Sequence, residues 1–245
     1  MIGLYSSTLL GVIPVKKIIF TDVQNPQGVL DIPKPGNKHI PEWYRTAESF
    51  PMGKKIPTTD GTPYATVKRC KPVYDALTAG YIITTHTDLH ITQEGGLPMY
   101  HWITDEPAIQ FQPKFQIEGV PELKGEIAGT RLNHPWSIKT PRGWSVLVMQ
   151  PAYRETPFNV IPGIVDTDKY RAPFNTFFTL KDPNFTGIIP AGTPYAQIIP
   201  IKRENWISKA GGPKELLEYN ILIAKMKTVY FDRYRDFWWS RKSYK

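Results

Sequence analysis

Among the 245 residues, those whose types and spacing could do chemistry begin with His86-Thr87-Asp88-Leu89-His90. Alternate side chains of an extended strand share a face, so His86, Asp88 and His90 would project together. His134 follows 46 residues after Asp88, and Arg142 eight residues after that. Two imidazoles and a carboxylate are ligand types that suit a divalent transition metal. The same residues also read as the solvent face of a half-buried strand, with Thr84, His86, Asp88, His90 and Thr92 opposite Ile83, Leu89 and Ile91. A second acidic pair, Asp166 and Asp168 in Val-Asp-Thr-Asp, could hold a cation through carboxylate oxygens or could cap a turn. The single cysteine, Cys70, excludes an intramolecular disulfide and a cysteine-based metal site, and reads as a small buried hydrophobe. The chain has no GxGxxG, P-loop, HExxH or GxSxG pattern.

The elements that must position these residues read as mainly β. Gly143 opens a strand through Gln150, with Trp144, Val146 and Val148 alternating with Ser145, Leu147 and Met149, apolar on both faces as in an interior strand. Tyr81 to Thr92 reads as one half-buried strand, and further strands are expected near 15–20, 101–103, 108–112, 163–168 and 173–180. Gly187 to Ile201 reads as a hairpin turning at Pro190 and Gly192. Gly-Thr-Pro-Tyr-Ala occurs at 61–65 and again at 192–196, each copy leading into a strand-like run that ends in Lys-Arg. With 24 prolines and 18 glycines the fold must be rich in turns and edges. The expected architecture is a jelly-roll-like β-sandwich over residues 63–210, preceded by a strand and a long irregular arm over 1–62, and followed by an amphipathic helix and basic tail over 211–245. In the arm, only Pro41 to Arg45 suggests a helix, and Trp43, Tyr44 and Phe50 need apolar cover. From Pro213 the period becomes helical, with Leu216, Tyr219, Ile223, Met226, Tyr230, Tyr234 and Phe237 on one stripe and the helix running to Ser240. Its end, Phe237-Trp238-Trp239, is expected to project onto a neighbouring subunit.

The formal charge is +8, and seven basic against two acidic residues from Lys225 onward put most of it on the tail. Such a tail could meet the phosphate backbone of a nucleic acid, or an acidic neighbour. The opening residues have an apolar run with no basic region before it, so no signal peptide is read, and no window approaches the roughly 20 apolar residues that span a bilayer. No membrane partner is therefore expected.

Two resemblances follow. The order His86, Asp88, His134, Arg142 resembles non-haem Fe(II), 2-oxoglutarate-dependent oxygenases. That likeness implies His86, Asp88 and His134 as iron ligands on a jelly-roll and Arg142 as the anchor of the cosubstrate carboxylate. The second is carried by Lys68 to Tyr81, Trp136 to Leu147, Gly163 to Asp168 and Pro190 to Arg203, in that order. Together these segments resemble an uncharacterised family common in tailed-phage genomes, over roughly residues 40 to 240. This likeness implies context rather than mechanism: a structural or interaction protein of the virion, present in the host cytoplasm during assembly, with no catalytic residue and no cofactor. Its partners would be other virion proteins or copies of itself, met through Trp43, Tyr44, Phe50, Tyr230, Tyr234, Phe237, Trp238 and Trp239. The histidines of the 86–90 stretch are not part of that likeness.

Overall fold

A computed structural model describes residues 15–24, 30–56, 64–228 and 234–245. Gly61 to Pro63 and Tyr230, named above, lie outside the described residues. Short apolar runs punctuated by proline and glycine build fourteen strands among those described: β1 (Ile19–Asp22), β2 (Lys34–Pro35), β3 (Tyr81–Thr84), β4 (Leu89–Glu94), β5 (Leu97–His101), β6 (Ile109–Pro113), β7 (Ala128–Leu132), β8 (Trp136–Lys139), β9 (Trp144–Met149), β10 (Phe158–Val160), β11 (Gly163–Val165), β12 (Thr176–Leu180), β13 (Gly187–Ile189) and β14 (Pro194–Lys202). The helices are α1 (Glu42–Thr46), α2 (Lys71–Thr78) and α3 (Pro213–Thr228). All strand pairing is antiparallel.

One sheet has the order β11, β9, β14, β3, β2, and a second has β10, β12, β7, β6. A three-stranded sheet of β13, β4 and β5, and the pair β1 with β8, complete the set. The inner faces meet in one core: Ile83, Val146, Val148 and Ile198 from the first sheet, Leu132, Phe158, Phe178 and Leu180 from the second, and Leu89, Ile91 and Ile189 from the third. Phe158, Phe178 and Tyr195 stand mutually edge to face at its centre, with centroids 5.1, 5.2 and 5.9 Å apart. The Tyr195 hydroxyl, fully buried, donates to the Thr176 carbonyl at 2.6 Å, so the polar tip is satisfied there. The fold is mainly β, as expected, and β9 is an interior strand held by β11 on one side and β14 on the other.

Four readings of the sequence are corrected. Tyr81 to Thr92 is two strands, β3 and β4, in different sheets with a bend at 85–88 between them. Gly187 to Ile201 is likewise split: β13 pairs with β4 and β14 with β3, so the two halves do not pair with each other. The result is a single antiparallel ribbon folded across a corner. Thr85 N–H donates to Thr193 O at 2.9 Å, Gly192 N–H to Thr85 O at 2.8 Å, and Ala191 N–H to Asp88 Oδ1 at 2.7 Å. Gly192 takes φ +84 there, a conformation glycine adopts without strain. Third, Val67–Arg69, after the first Gly-Thr-Pro-Tyr-Ala, is a 3₁₀ turn leading into α2, not a strand. Fourth, the described part of α3 covers Pro213–Thr228, Tyr234–Trp238 form a π-helical turn, and 239–245 run without regular structure, so the regular helix does not reach Ser240.

The described part of the arm lies on its own sandwich. β1 adds to β8 and β2 to β3. Arg154, 8% exposed, donates from its guanidinium to the carbonyls of Gly36, His39, Leu77 and Ala152 at 3.0, 2.9, 2.7 and 3.1 Å, tying the arm, α2 and the β9–β10 loop together. Gln197, fully buried on β14, ties α2 to the β9–β10 loop: its amide donates to Ala76 O and Ala79 O, and its carbonyl accepts from Ala152 N–H, each at 2.8 Å. Gly80 closes α2 at φ +61, with the site of a Cβ only 1.9 Å from Ile198 O, so no other residue fits.

Candidate functional site

The corner between β3 and β4 places His86 beside a cavity of about 300 Å3, lined also by Leu30, Ile32, Lys34, Thr84 and Trp136. Both ring nitrogens of His86 are buried without a hydrogen-bond partner among the described residues. Burial lowers its pKa, while the Asp22 carboxylate pulls the other way. His134, 2% exposed, stands edge to face with Phe174 at 4.9 Å. The Trp136 backbone N–H donates to His134 Nδ1 at 3.2 Å, which assigns the proton of the neutral ring to Nε2. Burial, reinforced by the neighbouring His86, lowers the His134 pKa to about 4. Burial thus disfavours the charged form of both His86 and His134.

The structure does not bring the other two members of the set to them. The Asp88 carboxylate accepts from Ala191 N–H and so holds the corner itself. Arg142 is exposed in the turn between β8 and β9. Among the described residues no group of three or more His, Cys, Asp or Glu is gathered that could hold a metal. These side chains do not fit the iron triad implied by the oxygenase likeness, and no step is derived through it.

The pair Asp166 and Asp168 is held by Arg203, just beyond β14. The guanidinium donates to both Asp168 oxygens, one of them at 2.9 Å, and approaches Asp166 Oδ1 at 3.1 Å. Gly143 N–H donates to Asp168 at 2.8 Å and the Ser145 hydroxyl to Asp166 at 2.6 Å. The Arg203 hydrogen bond, then that of Gly143, holds the Asp168 carboxyl down at about 2, well below its ordinary range. Because the folded-state value lies below the unfolded one, the stabilisation is fully present above about pH 4 and is lost as pH falls through about 2. Arg203→Met should therefore have a lower urea midpoint than the parent above about pH 4, and the two profiles should converge as pH falls towards about 2. Profiles superimposable throughout would show that the ion pair contributes nothing.

The aromatic residues expected at a subunit interface divide into two groups. Tyr44 is 5% exposed and its hydroxyl donates to Lys68 O at 3.1 Å, while the Lys68 ammonium lies 4.6 Å from the Tyr44 ring centroid. Trp43 donates from Nε1 to Tyr153 O at 2.9 Å, and Phe50 is half-buried beneath Arg69. Trp239 turns back onto α2: its Nε1 donates to the Asp75 carboxylate at 2.9 Å, Lys242 pairs with the same carboxylate at 2.6 Å, and Lys71 lies 4.8 Å from the indole centroid. Tyr244 then packs edge to face on Tyr81 at 6.1 Å. Tyr44 and Trp239 thus find cover on their own chain, whereas Tyr234, Phe237 and Trp238 remain exposed.

A run of exposed apolar side chains lies on α3 and the segment leading into it. From Pro213 to Lys225 every residue of α3 is exposed except Ile223, which is half-buried. Leu216, Leu217, Tyr219, Ile221 and Leu222 are 59, 60, 56, 47 and 36% exposed, and Trp206 and Ile207 in the approach are 84 and 96% exposed. The apolar side chains of α3 are interleaved with Lys214, Glu215, Glu218, Asn220 and Lys225 rather than gathered on one stripe. Trp206, Ile207, Leu217, Ile221 and Leu222 went unnamed because a single stripe was sought; the signal was the near-continuous apolar run Ile221-Leu222-Ile223-Ala224. No protein-family model matches this chain, and no curated protein is significantly similar to it.

Proposed function

We propose that this chain is a structural, interaction-forming subunit of a tailed-phage virion, held in its assembly through α3 and the segment leading into it. The observation that carries the reading is the exposure of seven large apolar side chains between Trp206 and Leu222. At roughly 150 to 250 Å2 for a whole large side chain, the exposed parts come to on the order of 800 Å2, which is what one partner contributes to a standard interface. Monomers rarely leave a surface of that kind to water. The phage setting is supported by the likeness of residues 40 to 240 to the tailed-phage family. The arm, fixed to its own sandwich through Arg154, has the smaller share in this reading.

The alternative, an Fe(II) and 2-oxoglutarate oxygenase, has less support, since Asp88 serves the corner and Arg142 lies at the surface. Iron content unchanged by His86→Ala would remove it. For the assembly reading, replacing Leu217, Ile221 and Leu222 together by glutamine should leave the unfolding midpoint of the sandwich within about 0.5 kcal/mol of the parent, as for exposed sites. The same change should remove the chain from purified particles, as read by mass spectrometry. A parent chain that is itself absent from particles would defeat the proposal.

A further inference from the structure

We infer that the groove between the arm and the start of α2 binds the phosphates of a single-stranded nucleic acid; α3 takes no part in it. The groove encloses about 550 Å3 and is lined by Lys38 from the arm, Tyr44 and Arg45 from α1, Lys68 from the 3₁₀ turn, and Lys71 and Tyr74 from α2. Four of its lining residues are cationic and, among the described residues, none is acidic. What fixes these cations does not neutralise them. The Lys68 ammonium donates to the carbonyls of Tyr44 and Arg45, the second at 3.0 Å, and lies 4.6 Å from the Tyr44 ring centroid. The Lys71 ammonium lies 5.2 Å from the Tyr74 centroid and 4.8 Å from that of Trp239. Ring faces and carbonyls position a cation while leaving its charge uncompensated.

The carboxylates around the groove are engaged by other groups. Asp75 is taken by Trp239 and Lys242, and Asp236, which Lys71 also influences, is held by Arg235 at 2.7 Å. Glu42 pairs with Arg45, but their side chains are 62 and 71% exposed, so that pair is weak and yields readily to a competing anion. Lys38 is exposed and makes no ion pair among the described residues. Like charges gathered on one concave wall raise the local positive potential and draw in anions. Because the four cations come from four segments of the chain, several linked anions match them better than one. The rings offer no free face for stacked bases: Tyr44 is 5% exposed beneath Lys68, and Tyr74 is flanked by Tyr44, Trp239 and Lys71. Contact therefore runs along the phosphates and is indifferent to sequence. A concave groove of this volume takes one backbone, whereas a duplex would ride over its rim.

Fluorescence anisotropy of a labelled oligothymidylate, titrated with the full chain at several salt concentrations, tests this. The parent should bind with log K falling against log salt at a slope of about −3, as for four phosphates of a single strand. Lys38→Gln and Arg45→Gln in one chain, both at exposed side chains, should weaken binding roughly 25-fold at about 0.1 M salt and halve the slope to about −1.4. Lys38→Arg should bind like the parent. So should Arg241→Gln with Lys245→Gln, which removes the same charge from the basic tail. Thermal unfolding of each variant checks that the sandwich is intact. A parent that does not bind, a groove variant with the parent's slope, or a tail variant that loses as much as the groove variant would each overturn the assignment. Inorganic tripolyphosphate binding as tightly as the oligonucleotide at the same salt would give the groove to a small phosphate ligand and overturn the strand.

Discussion

Arg154→Met should destabilise the fold by about 4 kcal/mol, read from urea unfolding, and should raise amide exchange over residues 34–40. The guanidinium is buried, with no carboxylate partner among the described residues, and is held by four backbone carbonyls, those of Gly36, His39, Leu77 and Ala152. Hydrogen bonds to a charged group contribute roughly 1.5 to 3 kcal/mol each, and buried carbonyls left without a donor cost about 1 to 3 kcal/mol. Against that sum stands the cost of burying the guanidinium, which the variant no longer bears. Burial brings the Arg154 pKa down to about 10, so the group remains charged at neutral pH and the contacts hold. The damage should be local in its pattern. The arm, the end of α2 and the β9–β10 loop all lose a shared tie, and Tyr153, at φ +55 beside it, loses part of what holds its unusual backbone. A variant within about 1 kcal/mol of the parent would mean that the strand pairing of β1 and β2 fixes the arm unaided.

His134 should make stability depend on pH. Its folded-state pKa, lowered by burial to about 4, compares with 6.5 for the free side chain. Above about pH 6.5 the ring is neutral in both states and imposes no penalty. Below it the unfolded chain takes up a proton that the folded chain refuses, so stability falls until about pH 4, by about 3 kcal/mol in all. His134→Asn keeps an acceptor for the Trp136 N–H and removes the titration. The difference in stability between parent and variant should therefore shift by about 3 kcal/mol in favour of the variant between pH 7 and pH 4. Parallel pH profiles would show that the ring is protonated where it lies.

How much of this was legible in the sequence depends on the range of the contact concerned. β9 was readable because Gly143 announces it and apolar residues on both faces mark an interior strand. The corner at 85–88 was not, and the burial pattern says why. Ile83, Thr85, Thr87, Leu89 and Ile91 are all buried, so the period of two runs straight through the bend while the chain passes from one sheet to another. The available sign was chemical: two threonines at inward positions, one of which bonds across the corner to Pro190 O at 2.8 Å. The residues of the candidate triad are not gathered, for the same reason: Asp88 accepts from Ala191 N–H at the partner strand's turn, while Asp22, distant in sequence, is the carboxylate that acts on His86. Trp239 was read as a projecting anchor because nothing near it in sequence reveals Asp75. Arg154 and Gln197 carried no periodic signal at all. α3 was legible in kind, from Pro213 onward, but its interleaved apolar side chains were reduced to a stripe.

The account turns on α3 being a surface that needs a partner, and hydrogen exchange tests this directly. A helix of 16 residues whose described side chains from Pro213 to Lys225 are exposed apart from Ile223 is marginal in water, because nucleation is costly and isolated helices of about 12 to 15 residues barely hold. Amide exchange should therefore be measured across residues 213–228 of the full chain at rising protein concentration, with the strands β9 and β14 as internal reference. The expected result is protection of α3 that grows with concentration while the strands stay unchanged. Protection of α3 that is the same at every concentration, or fast exchange even when the protein is concentrated, would contradict it.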